Sequence, residues 1–471
     1  MSSFSFPSFP HSNLLSHSPM ASTQHQNGDA VSHPHKKLKH TNFITEAEIQ
    51  SEFSHHEPAV ARLNNGAFGC CPASVIAVQR DWQLKNLRQP DQFYFNHLKS
   101  GLLRSRTIIK DLVNARHVDE ISLVDNASTA TAIVLQQAAW AFHEGTFQKG
   151  DVVLMLHYAY GAVKKAIEAY VVRAGGSVVV VPLRFPVTSN DEIVREFRKA
   201  VEKGKSRGNR IRLAVIDHVT SMPSVVIPVK ELVTICREEG VEQVFVDAAH
   251  AIGCTRVDMQ EIGADFYTSN LHKWFFCPPS VAFLYARASP KSRDLHHPVV
   301  SHEYGNGLAV ESSWTGNRDY SAQLVVPAVV DFVKRFEGGI EGIRKRNHDV
   351  VVEMGKMLVE AWGTHLGTPP DMSASMVMVG LPPCLGIMSD SHALKLRTRL
   401  RDEFGVEVPI YFAGGEEHAS VTAYARISRQ VYNKLEDYVK FKDAINQLVT
   451  DGFTCALLSD WTFSGALFSY L

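Results

Sequence analysis

The chain has little that would tie it to a polymer or a membrane. Its 471 residues carry 48 Lys and Arg against 49 Asp and Glu, a net charge of -1. A charge balance of that kind offers no electrostatic footprint for nucleic acid or an anionic surface. No apolar run is long and clean enough to span a bilayer; the nearest, 455–471, is interrupted by Asp460. Cysteines are few, seven in all, with no metal-ligand spacing and one vicinal pair, Cys70 and Cys71. That usage fits a reducing compartment and gives no reason to expect a metal. Internal repeats are also missing. The first forty residues have no acid before Asp29 and no Lys or Arg before Lys36, and they are rich in Ser, Pro and His. Transit peptides share the Ser-rich, acid-poor character but are usually Arg-rich. A disordered extension over 1–55 is therefore expected, with a cytoplasmic location and the mitochondrion or plastid as alternatives.

What is present is an ordinary globular composition, 45% hydrophobic and 21% charged, ample for a sizeable core. From Ile121 onward, short apolar runs alternate with helical patterns. The runs 121–124, 152–156, 177–181, 213–217, 244–247, 266–269 and 281–285 read as strands. Several are continuously apolar, as strands covered on both faces must be. Helical patterns fill 128–143, 162–174, 191–203 and 229–239. This predicts an α/β fold with a large, mostly parallel sheet in 56–320. A long helical stretch, broken near 337–339, then leads into a smaller α/β domain ending at 454. The tail 455–471 fits no element.

Five segments suggest chemistry. Lys273 lies in the segment TSNLHKW (268–274), which follows a strand-like run. A buried ammonium is costly, and desolvation frees the amine for Schiff-base chemistry. Asp247 ends the apolar run VFVD, one strand–helix unit earlier. It would point into the crevice where α/β sheets bind ligands, suited to pairing with a protonated pyridine nitrogen. DNASTA (125–130) lies between a strand and a helix, as an anion site or an ordinary N-cap. HYAYG (157–161) offers flat side chains that could stack on a ring. Arg426, in ARIS (425–428), could fork onto a carboxylate, or sit exposed on an edge strand.

In this order the segments resemble the class V aminotransferase family of fold-type I pyridoxal-phosphate (PLP) enzymes. The resemblance extends over roughly 60–450, strongest to its isopenicillin N epimerase-like and L-cysteine desulfhydrase-like branch. Its signposts are LNNGAFG (63–69), HYAYGAV (157–163), DAAHAIG (247–253), SNLHKW (269–274), SWTGNRD (313–319) and RISRQVYN (426–433). The set is far more specific than any member.

The resemblance implies that Lys273 holds PLP covalently and moves the Cα proton, and that Asp247 pairs with the pyridine nitrogen. It puts His250 near the ring hydroxyl and His157 on the ring face, with Tyr158 or Tyr160 as substitutes. Ser128, Thr129, Ser269 and His272 would hold the phosphate. Arg426 would bind the substrate carboxylate, with Asn65 nearby. Thr315 and Gly316 would reach the partner's phosphate in a homodimer with shared active sites. Asn317 replaces the threonine usual in WTGTRD.

The implied reaction is α,β-elimination of L-cysteine to hydrogen sulfide, pyruvate and ammonia. Persulfide transfer would need a cysteine shortly before Arg426, and 414–422 contains none. Epimerisation, with His418 or a tyrosine as second proton donor, transamination, and an inactive binding scaffold are the alternatives.

Overall fold

The computed structural model describes residues 43–289, 295–414 and 421–455. Twelve strands lie among them: β1 (Ala61–Arg62), β2 (Ile121–Val124), β3 (Val152–Leu156), β4 (Ser177–Val181), β5 (Ile211–Asp217), β6 (Gln243–Asp247), β7 (Phe266–Asn270), β8 (Ala282–Ala286), β9 (Met376–Gly380), β10 (Val406–Glu407), β11 (Ile410–Phe412) and β12 (Ala423–Ser428). Seven form the main sheet, in the order β2-β8-β7-β6-β5-β3-β4. Only β8 runs antiparallel to its neighbours, β2 and β7.

Both faces of this sheet are covered, which explains the continuous apolar runs. Along β5, Ala214 and Ile216 join one apolar cluster while Leu213 and Val215 join another. Val244 and Val246 of β6 face the first cluster, and Phe245 faces the second. Alternate residues thus enter different cores. The helix Ala127–His143 packs on the second face through Ile133 and Val134.

A smaller lobe has its own core. Its antiparallel sheet, β11-β12-β9, packs against the helices Gly339–Trp362 and Asp390–Phe404. The break near 337–339 is real: helix Val326–Lys334 ends, and Gly338 and Gly339 carry positive φ before the long helix begins. The smaller lobe also recruits the start of the described chain, because β1 pairs in parallel with β10. The boundary expected at 320 therefore does not separate the lobes cleanly in sequence.

Within the segment 1–55 expected as an extension, the described residues 43–55 belong to the folded body. Residues 46–52 form a helix capped by Thr45, whose hydroxyl accepts from Glu48 N while the Glu48 carboxylate accepts from Thr45 N. Ile49 and Phe53 are buried in the main core. Positions 1–42 and 456–471 lie outside the described residues. Among the described residues no helix is long and apolar enough to cross a membrane.

Candidate active site

The site lies where the parallel strands end. Asp217 closes β5, Asp247 closes β6 and Asn270 closes β7. Asp217 and Asp247 are register partners. The carboxyl ends of neighbouring strands thereby converge on one crevice, as doubly wound sheets require. A cavity of about 220 Å³ opens there, and Asp217, Asp247, His250, Asn270, His272 and Lys273 are among its walls.

Lys273 sits on a single helical turn, Leu271–Trp274, directly after β7. Two glycines let other segments press against that turn. A Cβ on Gly69 would meet the His272 carbonyl oxygen at 1.8 Å, and one on Gly253 would meet the Trp274 carbonyl oxygen at 2.4 Å. Both also hold positive φ. The closing glycines of LNNGAFG and DAAHAIG thus clamp the lysine turn from two sides.

The amine is prepared for nucleophilic work. Burial first, then the Arg426 charge, pushes the Lys273 pKa down to about 7, with Asp247 opposing. The hydrogen bonds agree. The Trp274 indole can only donate, and it lies 3.4 Å from His250 Nδ1. The proton of the neutral imidazole therefore sits on Nε2, which lies 3.1 Å from Lys273 Nζ. A hydrogen bond in that direction requires an uncharged amine. Burial, reinforced by Lys273, holds His250 well below its usual pKa and keeps the ring neutral.

Asp247 is 5% exposed, and one oxygen accepts from Ala249 N at 3.1 Å. Burial raises its pKa, partly offset by that bond and by Lys273. Asp217 beside it is held well above the usual range, by burial and then by the Asp247 charge. Its Oδ2 has no hydrogen-bond partner. Two buried carboxyl groups this close disfavour each other's charge, and a cation beside them would relieve that.

The expected anion site is partly as foreseen. Asn126 caps the helix Ala127–His143, its side chain accepting from Thr129 N at 2.9 Å. Ser128 lines the cavity. Thr129 turns to Asn126 with both its N–H and its hydroxyl. Ser269 does not reach the cavity: it is fully buried, donates to Ala248 O at 2.6 Å and accepts from Ile252 N. The next residue, Asn270, takes the place expected for it, accepting from Ala127 N at 2.9 Å. His272 is half-buried on the wall, with Nδ1 3.2 Å from Val281 O.

His157 is exposed and lines a neighbouring cavity, whereas Tyr160 lines both. Burial and then Asp247 raise the Tyr160 pKa, while Arg426 works to lower it. Tyr160 therefore lies within electrostatic reach of both groups. Tyr158 is buried and lines only the neighbouring cavity.

Arg426 is buried at the centre of its sheet, since β12 lies between β11 and β9. It donates to Ser221 O at 2.7 Å and to Asn64 Oδ1 at 2.8 Å. Asn65, expected beside it, faces away and bonds Ser428, Asn433 and Tyr432. Asn64 takes the place expected for Asn65.

Thr315 and Gly316 are not among the cavity walls. Their loop is tied down by Tyr320, whose hydroxyl accepts from Thr315 N and donates to Gly316 O, and by Arg318 on Asp125 at 2.5 Å. Asn317 accepts from the Tyr94 hydroxyl at 2.7 Å. His418 lies outside the described residues.

A buried neutral lysine facing carboxylates at the strand ends of a doubly wound sheet defines a carbonyl-reactive enzyme site. Comparison with known proteins sharpens this. A sequence model of aminotransferase class-V matches residues 94–302. The chain is 67% identical over 435 residues to "Probable L-cysteine desulfhydrase, chloroplastic" of Arabidopsis thaliana, covering 92% of this chain and 91% of that one. It is 59% identical to "L-cysteine desulfhydrase" of the same plant, covering 93% and 99%. Among solved structures, a Lys-to-Ala mutant of C-DES with glycine covalently linked to the PLP cofactor superposes with a TM-score of 0.64. Its identity is 16%, covering 84% of this chain and 98% of that one. The chain belongs to the class-V aminotransferase family, among relatives named as plant L-cysteine desulfhydrases. Its fold is the fold-type I architecture expected from the motifs.

Proposed function

We propose that the protein is a PLP-dependent L-cysteine desulfhydrase, releasing hydrogen sulfide, pyruvate and ammonia from L-cysteine. The observation that carries this is the buried Lys273 amine, 3.1 Å from His250 Nε2 in a cavity whose walls include Asp247. The residues fit the cofactor on three counts. The amine is buried, and burial lowers its pKa to about 7. A buried Asp217 oxygen lacks a partner, and Asp247 beside it awaits a cation. A capped helix N-terminus lies on the opposite wall, suited to a phosphate. When bound, PLP supplies an aldehyde for the amine and a ring that accepts the electron pair left at Cα.

The chain's own groups do the rest. Lys273 is the covalent anchor, and it takes the proton from Cα of the amino acid. Asp247 would pair with the pyridine nitrogen and keep it protonated. Tyr160 covers the ring, with His157 at the mouth of the neighbouring cavity. Ser128, Asn270 and His272 hold the phosphate, and Thr129 and Ser269 brace the segments that carry them. Arg426 binds the substrate carboxylate through guanidinium N–H groups not engaged by Ser221 and Asn64; its Nε has no partner. His250 tunes the amine.

Elimination is favoured over sulfur transfer to the enzyme because, among the described residues, no cysteine lines either cavity. The protein acts as a homodimer in which Thr315 and Gly316 reach the partner's phosphate. Exposed Phe68, Phe95 and Val300 provide apolar surface for such an interface. For location, the relative named chloroplastic supports the plastid over the cytoplasm. Fluorescence of a fusion carrying residues 1–60 tests that directly.

The central test is a joint assay of sulfide and pyruvate from L-cysteine. Equal amounts support the lyase. Alanine in place of pyruvate would instead indicate a desulfurase.

A further inference from the structure

The cavity that holds Lys273 adjoins a larger one, of about 420 Å³, and the two share Tyr160 and Ser221 as walls. An amino acid in the first cavity has three of its Cα bonds assigned. Its nitrogen is joined to the cofactor and its Cα–H faces Lys273. Its carboxylate goes to Arg426, which Ser221 O holds at 2.7 Å. Cα is tetrahedral, so the fourth bond, to the side chain, points away from Lys273. The space beyond the carboxylate site, past Ser221 and Tyr160, is the larger cavity. That is the direction left for the β-substituent.

Sulfur leaves carbon with the bonding electron pair, so negative charge grows on it as the bond stretches. A cation or acid fixed beside it lowers the cost. Lys164 is placed to act. It follows Tyr160 by four residues, and its N–H donates to Tyr160 O at 3.0 Å at the start of the helix Gly161–Ile167. The two side chains therefore share a face. Lys164 is half-buried and lines the larger cavity. Among the described residues no hydrogen bond or salt bridge holds its amine. Burial lowers its pKa, and Asp217, an acid within electrostatic reach, works against that.

The other titratable groups of this wall suit the task less well. Burial and then Lys164 lower the His157 pKa, so that ring is uncharged at neutral pH. Burial and then Asp247 raise the Tyr160 pKa, which makes it a poorer acid. Asp390 and Arg397 come from a different helix, Asp390–Phe404. Asp390 is an anion, and Arg397 stands 4.0 Å from Glu407.

We propose that Lys164 is a catalytic residue for the departure of sulfur: its ammonium contacts the β-sulfur, stabilises the charge that develops there and supplies a proton. This rests on the reading of the Lys273 cavity as a carbon–sulfur lyase site. The Cα–H bond breaks and its proton passes to the Lys273 amine. The Cβ–S bond breaks with its electron pair staying on sulfur. The sulfur keeps its own hydrogen, takes the Lys164 proton and leaves as hydrogen sulfide. Lys164 regains a proton from water, and the proton held by Lys273 returns to solvent. The three-carbon fragment takes up one water to give pyruvate and ammonia, with no outside oxidant or reductant.

The test compares wild type, Lys164→Met and Lys164→Arg on L-cysteine and on β-chloro-L-alanine, whose chloride leaves without a proton. Lys164→Met should lower kcat on L-cysteine by roughly thirtyfold or more, with partial recovery in Lys164→Arg, which restores the charge. Pyruvate release from β-chloro-L-alanine should change by less than about threefold. A binding measurement gives a second reading. L-Aspartate carries a fixed negative charge where the departing sulfur develops one. Calorimetry on the PLP-loaded Lys273→Ala protein should show L-aspartate binding weakened about tenfold by Lys164→Met, and L-alanine binding unchanged within about twofold. Unaltered turnover of L-cysteine by Lys164→Met overturns the inference and leaves the lyase reading standing. So does an equal loss on both substrates, which would make Lys164 structural. Failure of the wild type to turn over L-cysteine sinks the lyase reading itself.

Discussion

One strand, β5, carries a buried charge at each end, and the two ends are built in opposite ways. At its start, Arg212 is bonded to Asp151 and Glu242, each at 2.5 Å, and to Thr146 O. Burial works against that guanidinium, but the bonds to Glu242 and Asp151 outweigh it and raise its pKa. At its close, Asp217 has an oxygen without a partner, beside a second buried carboxyl group and an amine whose pKa burial lowers to about 7. The first end spends its charges on the fold. The second end stores unfavourable electrostatics that a cationic ring would relieve. Buried charges that are fully bonded mark structure, and those left short mark chemistry.

Breaking each end should therefore give opposite phenotypes. Lys273→Ala should cut sulfide release by at least about a thousandfold while leaving thermal stability of the cofactor-free protein nearly unchanged. Persistent turnover would remove the lysine from the mechanism. Arg212→Met should do the reverse. It strands a buried Asp151, costs about 3–5 kcal/mol of stability in denaturant titration, and leaves kcat of the folded fraction intact. Asp247→Ala should lower kcat by about a hundredfold with less effect on cofactor retention, checked by visible absorbance and steady-state rates.

The comparison can also be sharpened by pH. The folded Lys273 pKa lies below the unfolded value, so the amine sheds its proton near pH 7 rather than above 10. Cofactor uptake by the apoprotein should thus rise with pH and level off above about 7. Asp217 has the opposite sign. Its folded pKa is raised, so the folded state binds the extra proton, and apoprotein stability falls as pH climbs above 3.8. Asp217→Asn should remove that part of the slope in melting curves taken from pH 4 to 8. The smallest effect belongs to Asn317→Thr, where one hydrogen bond with Tyr94 changes and rates should shift by less than about twofold.

Much of this site could be read from residue order. Lys273 and Asp247 stand at the ends of apolar runs, and that signal survives folding. Asp217 carries the same signal, ending the run LAVID, and was missed only because no helix-like signpost followed it. Two expectations missed by one residue each. Asn270 lines the cavity where Ser269 does not, because side chains alternate along a strand, and Asn64 bonds Arg426 while Asn65 opens a helical turn and faces Ser428 and Asn433. Where a strand gives way to a turn, sequence does not say which parity reaches the crevice. The Thr45 capping box was visible as T-x-x-E but was overlooked inside a polar segment. Pairing of β1 with β10, more than three hundred residues away, leaves no local trace.

The most direct test of the covalent anchor is reduction of the PLP-loaded protein with borohydride, followed by mass spectrometry of its peptides. A pyridoxyl mass on Lys273 is the result this account predicts. The same mass on Lys164 or another lysine, or on none, would contradict it.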